Sequence, residues 1–241
     1  MKAEKIAIAA GKEECMLLQN NSSASYSISV AEGAKAEIAI INSSPAGMDV
    51  EMEVDAKVGK NAALKLIGCT LGGRETKSSV EIVQKAGSRC EHFEIALLTG
   101  AQRLVARTNH LHQERGSFSR SSFRYAAAGS SQVNVQGNVE IAQKARGADA
   151  HFVAKSLLLS RDAVVRVVPQ LSVKAGDVKA GHGAAMAPVS ADELFYLESR
   201  GIDKNEGRRM ILGGFLLEFE AVQMGRIMAS VEKKIGDVYG V

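Results

Sequence analysis

The chain has no tryptophan, only three prolines and three cysteines in 241 residues, and an aromatic fraction of 5%. Each shortage excludes something. So few rings argue against a stacking platform for single-stranded nucleic acid. Cys15, Cys69 and Cys90 are odd in number and form no CxxC, which argues against a disulfide framework and against a zinc site built on cysteine pairs. Excess charge of one sign is missing too. The 30 basic and 27 acidic residues leave a formal net charge of +3, and the lysines and arginines are scattered, so no nucleic-acid partner is expected. No window approaches about 18 uncharged apolar residues, so no membrane span is expected. The opening MKAEKIAIAAGKEEC has no apolar stretch of signal-peptide length. The expectation is a chain of a reducing, cytoplasmic compartment.

What is present is alternation. YSISV (26–30), AEIAII (36–41), MDVEMEV (48–54), SVEIV (79–83), HFEIALL (92–98), QVNVQGNVEIA (132–142) and AVVRVV (163–168) read as short strands. MDVEMEV puts Met48, Val50, Met52 and Val54 on one face and Asp49, Glu51 and Glu53 on the other. Gly33, Gly59, Gly73, Gly87, Gly100, Gly116 and Gly129 recur near the period of one strand plus one turn, so corner glycines with positive φ are expected there. Short strands at near-constant spacing predict a solenoid, sandwich or barrel.

The last fifth changes period. Ser190-Ala-Asp-Glu193 reads as a capping box, Leu194, Phe195 and Leu197 as an apolar side, and Gly201 as a C′ stop. Asp203 offers a second cap, followed by Met210, Ile211, Phe215, Leu216 and Phe219 at helical spacing. A third helix is expected around Gly225–Asp237. The predicted organisation is a β body over 1–185 and a helical segment over 186–241.

Motifs for nucleotide or nucleophile chemistry are missing: there is no GxxxxGK[ST], no GxGxxG between a strand and a helix, and no GxSxG. His110 and His112 would share one face of a strand, with Glu114 as the only nearby third ligand; the thin donor set favours a structural or surface role over a metal site. The three thiols are far apart in sequence and read more readily as small buried hydrophobes than as cluster ligands. His182 sits between two glycines in GDVKAGHGAAMAP. It is either an exposed ligand or a turn histidine bonded to a carbonyl, and composition alone favours the turn.

Several stretches, in order, carry a family likeness. NHLHQERGSFSRSSFRY (109–125), VQGNVEIAQKARGADAHFVAKSLLLS (135–160), PQLSVKAGDVKAGHGA (169–184), ELFYLESRGI (193–202) and the helix through GGF (213–215) resemble the SufB/SufD family of iron–sulfur cluster assembly proteins. The likeness runs from about 105 to 220, and the first hundred residues share only strand-and-glycine texture. It implies a right-handed parallel β-helix with a C-terminal α-helical appendage, in a compact form of a longer family architecture. It implies a non-enzymatic scaffold that dimerises through its terminal β-helix strands (roughly 150–180), with a SufB-like subunit or a second copy of itself. It further implies docking of the SufC ABC-type ATPase on the C-terminal helices, with Phe195, Tyr196, Arg200, Gly201 and Phe215 as candidate contacts. A transient iron–sulfur cluster would form at the seam, with none held stably by the chain alone. His182 matches the SufD-type histidine ligand. The SufB-type cysteine would fall at Ala154, and the acidic residue that follows the SufB-type histidine is Gly183 here; both departures favour the SufD-like side. Two other readings compete. One is a metal-free structural homo-oligomer. The other is a polysaccharide-active β-helix enzyme, which would want clustered carboxylates and a secretion signal.

Overall fold

The structure, a computed structural model, describes residues 1–218 and 224–239. Fourteen strands follow one another: β1 (Lys2–Ile8), β2 (Glu13–Asn20), β3 (Ala24–Val30), β4 (Lys35–Asn42), β5 (Asp49–Val58), β6 (Ala63–Thr70) and β7 (Glu75–Gln84). Then come β8 (Arg89–Leu98), β9 (Arg103–His112), β10 (Phe118–Ala127), β11 (Gln132–Ile141), β12 (Asp149–Leu158), β13 (Val164–Val173) and β14 (Lys179–Pro188). Odd strands form one seven-stranded sheet in the order β1-β3-β5-β7-β9-β11-β13, and even strands form a second in the order β14-β12-β10-β8-β6-β4-β2. All pairings are parallel, so the chain climbs as a β-solenoid, one strand of each sheet per coil. The predicted strands all appear. Met48, however, precedes β5 and is 40% exposed, while Val50, Met52 and Val54 face the interior.

The corner where each odd strand turns into an even one needs a left-handed residue two positions before the even strand. Gly11, Gly33, Gly87, Gly116 and Gly147 fill it in five coils. Gly59 does not, contrary to the glycine rhythm. Asn61 takes that position with φ 55°, and Asp177 does so with φ 57°, as short polar side chains tolerate this region. Gly59 is glycine for another reason: a Cβ there would lie 2.8 Å from the Val30 carbonyl oxygen of the previous coil.

Where the helices cover it, the even sheet is buried on both faces, and the strand ends there read as continuous apolar runs. In β4, Ile38 and Ile40 face the interior, while Ala39 and Ile41 lie beneath the helices. Three helices complete the chain: α1 (Ala191–Ser199), α2 (Lys204–Leu216) and α3 (Met224–Tyr239). The Ser190 hydroxyl accepts from Glu193 N–H at 3.2 Å, and the Asp203 carboxylate caps α2 through Asn205 N–H at 2.8 Å. Leu212 and Leu216 of α2 and Ile227, Val231 and Ile235 of α3 are buried against Ile41, Ile67, Ile95 and Leu97. Arg124 of β10 pins the end of α2, donating to Glu218 at 2.6 Å and holding that carboxyl below its usual range. The expectation for Phe219 lies outside the described residues.

Candidate functional site: the open end of the solenoid

Among the described residues both sheets end without a partner strand, the odd one at β13 and the even one at β14. Backbone direction at these edges follows from the corner bonds. Val164 N–H donates to Ser131 and Lys174 N–H to Ile141, so even-numbered groups of β13 face β11. The odd-numbered N–H and C=O groups therefore face outward. Pro169, which has no N–H to give, stands in the outward set, where the sheet loses nothing by it. On β14, Lys179 N–H donates to Ala148, so His182 and Ala184 turn their own backbone groups to the open edge.

His182 is exposed on β14, in register with Phe152 of β12. The stretch that read as a turn is a regular strand, and neither Gly181 nor Gly183 has a positive φ. Gly181 has a packing reason instead: the His151 ring of β12 lies across it, Nδ1 3.2 Å from where a Cβ would be. By strand alternation His182 belongs to the row that points inward in earlier coils, the row of Ser121 and Phe152. It is exposed because no further coil covers it. Val164 (56% exposed), Val173 and Met186 are large apolar residues left uncovered at the same end.

The thiols are elsewhere. Cys15 lies on β2, at the opposite end of the even sheet, about 29 Å away at strand spacing. Cys69 and Cys90 are buried on β6 and β8; burial, with some help from nearby carboxylates, pushes Cys90 up to about 12 and Cys69 higher still. Ala154 pairs with Ala184 beside His182 and offers no donor. Among the described residues no group of three or more His, Cys, Asp or Glu could hold a metal ion. The open end thus presents the His182 imidazole, with that of His151 on the neighbouring strand, and no thiol.

His110 and His112 are fully buried inside the solenoid on β9, which removes a surface role for them. His112 bonds to Ser117 and Ser119, each at 2.8 Å, and burial lowers it to about 4. His110 Nε2 lies 3.0 Å from Nδ1 of His92, whose Nε2 meets the Glu94 carboxylate at 2.8 Å. Glu94 fits because its register partner is Gly68, where a Cβ would fall 2.4 Å from the carboxylate. This acid–histidine chain escaped the sequence reading. Alternation places Cys90, His92 and Glu94 on one inward row, but the pairing with Gly68 depends on register, which the local pattern does not carry. Glu114 is bonded to Ala86 N–H and Lys85 on the surface, not to the histidines.

The helices form a second feature. Leu157, Tyr196, Leu197, Met210, Ile211 and Phe215 line an apolar groove of about 730 Å³ between α1 and α2. Tyr196 and Phe215, both singled out from the sequence, meet there. Phe195 is 72% exposed, and Arg200 stacks on Tyr196 with its guanidinium 5.2 Å from the ring centroid. Gly201, with φ +83°, ends α1 and acts through the backbone.

Comparison with known proteins places this architecture. Residues 3–215 match the family model described as SUF system FeS cluster assembly, SufBD core domain. That span includes the N-terminal coils, for which the sequence offered only texture. The chain is 35% identical over 101 residues to the iron-sulfur cluster assembly protein SufD of Escherichia coli (strain K12), covering 42% of this chain and 24% of that protein. It is 28% identical over 162 residues to an iron-sulfur cluster assembly SufBD family protein of Synechocystis, covering 65% of this chain and 35% of the relative. A Mycobacterium tuberculosis member of the same family is 30% identical over 175 residues, 69% of this chain and 44% of the relative. The chain therefore spans less than half the length of each of these three relatives. A parallel solenoid with three closing helices, matched along nearly its whole strand region, makes the chain a member of the SufBD family.

Proposed function

We propose that the chain is a non-enzymatic, SufD-like component of iron–sulfur cluster assembly. It joins a SufB-type subunit, or a second copy of itself, end to end through β13 and β14. His182 then stands at the seam as a nitrogen ligand to a nascent cluster, which is cargo and not a resident cofactor. An imidazole at a cluster edge is a weaker hold than a thiolate, which suits a cluster that must leave. The α1–α2 groove would take an apolar segment of a SufC-type ATPase.

The observation that carries this reading is the placement of His182 on the last strand, exposed, with its own backbone turned to the open edge. The same strand that would pair with a partner presents the ligand, so docking and ligation occur together. The donor set fits the reading as well: His182 with no nearby thiol would make this chain half of a site.

Anaerobic reconstitution with iron and sulfide tests it. The chain alone should hold little iron, the complex with SufB-type and SufC-type partners should hold a cluster, and His182→Ala should weaken that cluster. A cluster indifferent to His182 would refute the ligand role and leave the chain as a structural scaffold.

A further inference from the structure

We infer that the groove between α3 and the corner loops of the first coils is a binding site for a small phosphorylated ligand. It lies on the face of the molecule formed by α3, away from the strands that carry His182 and from the α1–α2 groove. Its volume is about 640 Å³, within the usual range for small-molecule sites. One wall is α3, which contributes Arg226, Lys233 and Lys234; the floor is loop and strand surface that includes Gln19, Ser43 and Leu71.

Arg226 and Lys233 are seven residues apart on one helix, about 10 Å along its axis. That is the reach of a phosphate chain with an attached sugar. Elsewhere, lysines and arginines commonly stand beside carboxylates, as Lys35 beside Glu13, Lys60 beside Glu32 and Arg103 beside Glu75. Arg226, Lys233 and Lys234 have no carboxylate within ion-pair distance among the described residues. Asp237 lines the same groove and offsets one of the three charges, leaving a net positive wall.

Lys234 is the informative member. Its ammonium is partly buried and donates to the neutral Thr99 hydroxyl at 3.3 Å. Burial lowers its affinity for a proton, against the pull of Asp237. A partly desolvated cation with no carboxylate in ion-pair contact gains when an anion arrives. Gln19 and Ser43 add polar side chains that have no partner among the described residues. Leu71, Ala46 and Ala229 supply an apolar strip that suits a ring. The groove's size favours a molecule of nucleotide dimensions over an extended acidic chain.

The test is calorimetric titration of the full chain, at low ionic strength, with ATP and with pyrophosphate. Saturable one-to-one binding of both is expected, with each displacing the other. Lys233→Ala and Arg226→Ala, both at exposed positions, should each weaken it about tenfold, whereas Lys57→Ala on the outer face of β5 should not. Lys234→Met should abolish binding; if it impairs folding, the two exposed variants still decide. Absence of saturation at millimolar ligand, or binding that Lys233→Ala and Arg226→Ala leave unchanged, overturns the assignment. Neither readout involves iron, so this result stands or falls apart from the role of His182.

Discussion

Acid should destabilise this solenoid through its interior histidines, and His112 allows the size of the effect to be worked out. In the folded chain burial lowers His112 to about 4 from an ordinary 6.5. The unfolded chain therefore takes up a proton first. The stability tied to neutral His112 is complete above the unfolded value and is lost as pH falls from 6.5 toward 4. From near pH 7 to near pH 4.5 that loss is about 2 kcal/mol for one group. His110, also lowered by burial and by the neighbouring His92 and His112, adds in the same direction. The perturbation is His112→Gln, which keeps an amide able to bond Ser117 and Ser119 but does not titrate. Urea unfolding of both proteins across this range gives the comparison. The variant should start less stable at neutral pH and lose about 2 kcal/mol less on acidification. Equal losses would show that His112 binds its proton equally well folded and unfolded, and would refute the reasoning.

Other expectations follow from the same contacts. Gly137→Ala would place a Cβ 2.2 Å from Phe152 Cζ in the core, and overpacking of this kind costs roughly 1–3 kcal/mol, visible as a lower Tm. Val167→Pro removes a donor from the outward edge of β13 without touching a bond to β11, so the monomer should keep its circular dichroism while end-to-end association, followed by sedimentation, is lost. Persistence of that association would put the interface elsewhere. Tyr196→Ala with Phe215→Ala should abolish co-purification with a SufC-type ATPase while leaving the fold intact. Retention of the ATPase would remove the α1–α2 groove from the docking surface.

Much of the fold was legible because its signal is local. The period-two runs gave the strands, and the caps at Ser190 and Asp203 and the stop at Gly201 gave the helix boundaries. The interior was less legible because it depends on pairings about one coil apart. Gly68 opposite Glu94 is a consequence of register, and Phe152 over Gly137 of how the two sheets face each other across the interior. The segment holding His182 shows the same limit. GHGAAMAP is built of small residues with weak strand preference and reads as a turn, yet pairing with β12 imposes an extended backbone on it. Asn61 in place of Gly59 is a smaller case: composition marks a corner, and only the coil geometry says which residue turns it.

The two ends of the solenoid differ in a way that bears on function. A parallel solenoid has an exposed edge pair at each end, and such edges invite other strands unless charge blunts them. At the N-terminal end β1 carries Lys2, Glu4 and Lys5, and β2 carries Glu13 and Glu14. At the C-terminal end β13 carries only Arg166 and β14 only Lys179 as permanently charged residues, and both strands leave apolar side chains uncovered. Among the described residues, the strands of the C-terminal edge thus carry less charge to deter strand addition, which suits the proposed seam. Pro169 omits one outward donor and no inward one, so a strand added at this edge would leave one carbonyl opposite it unbonded. Under the proposed pairing, the register of the seam would fix which partner residue falls opposite His182. Ligand placement across the seam would then be set by backbone pairing, before any metal arrives.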